Sequence, residues 1–200
     1  WRRGSPTTPF TPAPSARALP PSSRIFPIAM LALVGAIVLG GVVLDRLGYF
    51  QRDHRKMAPD VSFYDRDGGA VHLADYRGKV VLLNFWATWC GPCVVEAPSL
   101  AALSDELKRT LPDVVILAPA LDDKGFKATD PFVEKLHLES LAVFHDKKKE
   151  AFKFGTRKLP ETWLISREGE ILDRFVGEVD WSDPQIYGLL EKVAKKGAQT

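Results

Sequence analysis

Cysteine is almost absent from this chain of 200 residues: there are two, Cys90 and Cys93. One pair is too few for a small scaffold stapled by several disulfides. Histidine is nearly as scarce. His54, His72, His137 and His145 lie far apart, and no two share the helical spacing of a metal pair. A surplus of either charge is lacking too. Lys and Arg number 27 against 25 Asp and Glu, and a net charge of +2 leaves no electrostatic footprint for nucleic acid. No internal repeat is visible. The remainder, 46% hydrophobic and 26% charged, is ordinary for a globular protein. The length holds one domain of roughly 150 residues and something more.

The additional length sits at the front. Residues 1–24 contain six prolines, four arginines and no acid, a composition that builds no core and reads as a disordered tail. Ile25 to Leu44 then runs for twenty residues without a charged side chain. At about 1.5 Å per helical residue this run matches a hydrocarbon layer about 30 Å thick, so it reads as a transmembrane anchor. A cleaved signal peptide is the alternative, but such peptides have an apolar region of about 7–15 residues and a small-x-small site, and none follows Leu44. Basic residues flank the run almost equally, with Arg2, Arg3, Arg17 and Arg24 before it and Arg46, Arg52, Arg55 and Lys56 after it. The orientation adopted is a cytoplasmic tail with the soluble part outside. Residues 45–57 read as a linker and 58–200 as the soluble domain.

From Ala58 onward the pattern is globular. A strand, an Asp-Gly turn at Asp67 and Gly68 and a second strand come first. Val80 to Phe85 is a continuous apolar run of the kind buried on both faces of a sheet. A helix is expected from about Cys90 to Arg109, then a second buried strand over 114–121, which makes a right-handed parallel unit. Asp130 and Pro131 read as the opening of a short helix, residues 141–146 as a strand, and Lys147 to Glu150 as a solvated helix start. A hairpin should turn at Glu168 and Gly169, and a last helix should run from about Asp183 to Lys196. The fold class is therefore α/β, a mixed central sheet covered by helices.

The cysteines fall where the buried strand ends and the helix begins. Three residues apart, they share the first turn, close enough to bridge. Cys90 meets the unpaired N–H groups and positive dipole end of the helix, which favour its thiolate and make it the nucleophile. Cys93, one turn deeper, attacks the mixed disulfide that Cys90 forms with a substrate. Pro92 costs no hydrogen bond in the first turn. A zinc site would need further soft ligands, and a purely structural bridge across two residues would restrain the unfolded chain little.

At this point the residues carry a resemblance. "FWATWCGPC", with Pro98 five positions after Cys93, resembles the active site of the thioredoxin superfamily. With the upstream "APDVSFYDRDGGAVHLADYRGKVVLLN", the chain from Ala58 onward is similar to the membrane-anchored, extracytoplasmic branch that includes TlpA, ResA and CcmG (DsbE). The usual buried aspartate is replaced by Asn84, while Glu96 stands where that branch places its acid. Leu159 and Pro160, in "KLPETWLIS", match the loop that holds a cis-proline facing the cysteines. "PET" is similar to CcmG, but the Gly91-Pro92 pair departs from it, so the subfamily stays open.

The resemblance implies a thioredoxin-like fold and a protein-disulfide reductase outside the cytoplasm, in the inner membrane of a bacterium. It would need no cofactor and no metal, and take electrons from a membrane donor of the DsbD or CcdA type. Apocytochrome c is the implied client, with Cys90 and Cys93 as the redox-active pair and Glu96 assisting them. Trp89, Gly91, Pro92, Leu159 and Pro160 would form the substrate-binding surface. Gly-Pro is also the pair thioredoxin uses at about −270 mV, which favours electron donation in an oxidising compartment. Two other classes compete. A peroxidase of the peroxiredoxin type would need a proline where Leu83 stands. A copper-binding assembly protein of the SCO type would need three residues between its cysteines and a later histidine, for which His145 is the candidate.

Overall fold

The computed structural model describes Met30, Val34 and residues 56–196; the first two are helical with exposed side chains. Among the described residues no helix is long and apolar enough to cross a membrane. Apart from Met30 and Val34, the tail, anchor and most of the linker expected at 1–57 lie outside them.

Among the described residues the strands are β1 (Ser62–Tyr64), β2 (Ala70–His72), β3 (Val80–Phe85), β4 (Val114–Ala120), β5 (Ala142–His145), β6 (Glu161–Ile165) and β7 (Ile171–Val176). Within residues 56–196 the α-helices are α1 (Gly91–Thr110), α2 (Phe126–Leu136), α3 (Ala151–Phe154) and α4 (Pro184–Lys196). One sheet contains every strand, in the order β2-β1-β5-β4-β3-β6-β7. β3, β4 and β5 run parallel, and the other pairings are antiparallel. This is a thioredoxin-like α/β fold with a mixed central sheet.

The apolar run at Val80–Phe85 is the sheet's centre, with every residue buried because neighbouring strands and both faces are covered. Val80 and Leu82 face α1, α2 and α4, through Leu100, Val133 and Leu190 among others. Val81, Leu83 and Phe85 face the opposite layer with Phe63, Phe154 and Trp163. Phe85 sits between Phe63 at 6.0 Å and Phe154 at 5.5 Å, both edge to face, the geometry aromatic quadrupoles favour. Residues on β3 are thus held from both sides, which fixes the strand whose end carries the cysteines.

Two expectations change. Pro131 does not open a helix but lies inside α2, which begins five residues earlier. The turn after β4 closes through Gly125 N–H to the Asp122 carbonyl at 2.9 Å, and the Gly125 carbonyl then accepts from Ala128 and Thr129. Gly125 has φ +54°, and a Cβ there would stand 2.8 Å from the His145 ring, so this early start requires glycine. Lys147–Lys149 form an exposed turn and not a helix start, and Glu150, expected in solvent, is buried. The cause is Asp146, whose carboxylate accepts the N–H groups of Glu150 at 2.6 Å and Ala151 at 2.9 Å and so delays α3.

Candidate active site

The parallel strands β3 and β4 end at one edge of the sheet, and the antiparallel β6 begins there, with Glu161 opposite Phe85. The loop leaving β3 and the loop entering β6 therefore meet. The first carries Trp89 and Cys90, the second Leu159 and Pro160, joined by a cis peptide bond as the resemblance implies.

Cys90 and Cys93 are bonded to each other, with Cα atoms 5.3 Å apart. Cys90 is the N-cap of α1, and its Sγ accepts the Cys93 N–H at 3.3 Å. That sulfur occupies the place where a helix end stabilises negative charge, which is what a reduced Cys90 needs to stand as thiolate. The asymmetry of burial agrees: Cys90 is 6% exposed and Cys93 1%. Around them Gly91 and Pro92 are exposed, and Trp89, at 68% exposure, offers an uncovered indole beside Cys90. Trp86 and Trp163 are core residues.

Glu96 is buried at 3% exposure, not solvated on the helix face. Its Oε1 accepts from the Asn84 amide at 2.9 Å, and its Oε2 from the Val179 N–H at 3.0 Å. The Asn84 amide also donates to the Thr162 hydroxyl at 2.8 Å. The indole N–H of buried Trp181 approaches the same carboxylate without a hydrogen bond of good geometry. Burial raises the Glu96 pKa above the ordinary carboxylate value, outweighing the hydrogen bonds from Asn84 and Val179. A cavity of about 10 Å³ lies between Cys93, Glu96, Asn84 and Trp86, room for at most a single water. The acid and the deeper cysteine therefore line one small cavity.

Local sequence held no signal for another contact. Asp122, just past the end of β4, is buried at 4% exposure. It accepts both the Thr88 N–H at 3.0 Å and the Thr88 hydroxyl at 2.5 Å. Trp86 is tied to the same strand, its indole donating to the Ala118 carbonyl at 3.0 Å and its own carbonyl accepting from Leu121 at 2.9 Å. The loop delivering Cys90 is thus pinned to β4 at 86 and at 88. Asp122→Ala is expected to cost about 1–3 kcal/mol in chemical denaturation, because it leaves two partly buried Thr88 groups without acceptors. Asp122→Asn should recover most of that loss, since its amide accepts from the N–H and donates to the hydroxyl.

Among the described residues no group of three or more His, Cys, Asp or Glu side chains stands together as a metal site, so His145 belongs to none.

Comparison with known proteins agrees with this geometry. The family model described as Redoxin matches residues 54–190. A thiol-disulfide oxidoreductase ResA of Bacillus thuringiensis subsp. konkukian is 34% identical over 157 residues, covering 76% of this chain and 86% of that protein. The thioredoxin-like protein YneN of Bacillus subtilis is 34% identical over 122 residues, 61% of this chain and 71% of that one. A crystal structure from Chlorobium tepidum, described by the name of the thiol:disulfide interchange protein DsbE, superposes with a TM-score of 0.59 at 28% identity. It covers 72% of this chain and 96% of its own.

Proposed function

We propose, from the premise that the chain belongs to the redoxin family and is a thiol-disulfide oxidoreductase of thioredoxin-like fold, that it works as a reductase of protein disulfides through Cys90 and Cys93. The observation that carries this reading is the bonded pair at the start of α1, with the Cys90 sulfur on the helix N-terminus. In the reduced enzyme the Cys90 thiolate attacks one sulfur of a substrate disulfide. That S–S bond breaks, a Cys90–substrate bond forms, and the departing thiolate takes up a proton. Cys93, deprotonated with the help of Glu96, then attacks the Cys90 sulfur. The mixed disulfide breaks and the substrate leaves as a dithiol. Two electrons have passed to it, and the Cys90–Cys93 bond has formed.

An extended substrate finds backbone to pair with at Leu159. Among the described residues neither its N–H nor its carbonyl has a backbone hydrogen-bond partner, whereas the Pro160 carbonyl accepts from Gly177 at 2.9 Å. Trp89, Gly91 and Pro92 complete the contact surface.

The test is thiol counting. The reduced full-length chain, mixed with a peptide held by one internal disulfide, should lose two thiols for every two that appear in the peptide. No transfer would remove the reading.

Apocytochrome c is the client favoured by the resemblance to ResA and CcmG, and a membrane dithiol donor of the DsbD or CcdA type is the matching electron source. The uncharged run Ile25 to Leu44 supports a membrane anchor, with the catalytic domain outside the cytoplasm. An alkaline phosphatase fused after Thr200 should then be active and a cytoplasm-dependent reporter silent; the reverse pattern would overturn this placement.

A further inference from the structure

Six cations fall within the twelve residues from Lys147 to Lys158, interrupted by one acid, Glu150. That acid is buried and paired with Lys153 at 2.7 Å. Lys147 and Lys148 lie over the Tyr64 ring at 5.7 and 5.5 Å. Arg157 and Lys158 differ: both are exposed, and among the described residues neither forms an ion pair. They are also the last two residues before Leu159 and Pro160, so they stand at the mouth of the site.

The other charges at this edge are placed unequally. The segment with Arg157 and Lys158 arrives from α3, on the sheet face that carries Phe85 and Phe154. Glu178 and Asp180, both exposed, follow β7 toward α4 on the opposite face, where the Val179 N–H meets Glu96. Asp123 and Lys124, exposed after β4, offset each other. Asp122 and Asp146 are buried at the same edge and hold Thr88 and the start of α3. The rim is therefore polarised, positive before Pro160 and negative beyond it.

On the reading of the chain as a disulfide reductase, we infer that Arg157 and Lys158 form a recognition lip for protein disulfides with an acidic residue beside the reactive cysteine. The Arg157 guanidinium is a planar fork that takes a carboxylate through two N–H groups, and Lys158 adds a mobile point charge. Trp89 supplies apolar contact for the neighbouring residue at the same opening. Charges at the rim of an interface set register and encounter rate, and their effect fades with salt because the Debye length is only about 10 Å at 0.1 M.

Three peptides test this, identical around one internal disulfide and flanked by two aspartates, two lysines or two glutamines. The full-length chain at low salt should reduce the acidic peptide with a kcat/KM about fivefold above the basic one, a ratio that falls toward one in about 1 M salt. The double substitution Arg157→Gln, Lys158→Gln should bring the low-salt ratio to about one, and Arg157→Glu, Lys158→Glu should invert it. Each ratio is taken within one protein, so a general loss of activity cancels, and the salt series needs no variant at all. Equal rates for the two charged peptides, or a preference that persists through both double substitutions, would overturn the lip alone. Failure to reduce any of the three, the glutamine peptide included, would overturn the reductase reading and the lip with it.

Discussion

Cys90→Ser is expected to abolish reduction of a peptide disulfide, while Cys93→Ser still forms a mixed disulfide and stops there. The two sulfurs are chemically alike, and their surroundings separate them. The Cys90 sulfur caps α1 and accepts a backbone N–H, a position that favours the thiolate. Cys93, at 1% exposure, lies inside the helix that Cys90 caps. A hydroxyl at position 90 ionises far too weakly to attack a disulfide, so the loss should exceed a thousandfold, the order found when a reacting group is removed outright. Non-reducing mass spectrometry of each variant after exposure to the peptide reads the outcome. Alkylation of Cys93 alone in the reduced wild type would reverse the two roles.

The second large effect belongs to Glu96. On the proposed mechanism Cys93 must lose its proton before it attacks, and among the described residues Glu96 is the one carboxylate that lines the small cavity beside it. Because burial raises its pKa, this acid lies nearer to the thiol in proton affinity, and transfer becomes easier. Glu96→Gln is therefore expected to leave attack by Cys90 nearly unchanged and to slow release of the substrate at neutral pH by about tenfold or more. Acid-quenched time courses separate the two steps; an unchanged release rate between pH 5 and 8 would remove the proton-transfer role.

Stability carries the same signature. With a raised pKa the folded chain holds the Glu96 proton more tightly than the unfolded chain does. This contribution is complete below the ordinary carboxylate value of 4.5 and is lost as pH rises through the folded-state value. Stability of the oxidised wild type relative to Glu96→Gln should accordingly fall as pH rises above 4.5, measured by denaturant unfolding at each pH.

What was legible in the sequence follows from how local each signal is. The five apolar residues of β3, the Glu168-Gly169 hairpin and the helix after Cys90 are written in short stretches, and the structure has them at those places. Asn84 and Glu96 were each singled out, the one on the strand and the other a turn past Cys93, and they meet across 2.9 Å. The start of α2 was misread because a proline in the first turn is a common helix signal, while the glycine that opens this one depends on the His145 ring, twenty residues away. Asp122 was invisible for the same reason: its partner Thr88 is 34 residues distant, and nothing near either residue announces the pairing. The Val179 N–H that holds Glu96 comes from 83 residues away. Long-range polar contacts of this kind leave no periodicity to read.

The depth of Cys93 has a further kinetic consequence. On the reductase reading, a reductant that regenerates the enzyme must open the Cys90–Cys93 bond by attacking one of its sulfurs, and Cys93, at 1% exposure, is the less accessible of the two. On that reading client and electron donor would use the same sulfur in turn, each departing before the other arrives. Steady-state rates should give parallel double-reciprocal lines, and an excess of donor should inhibit by occupying the opening that the client needs.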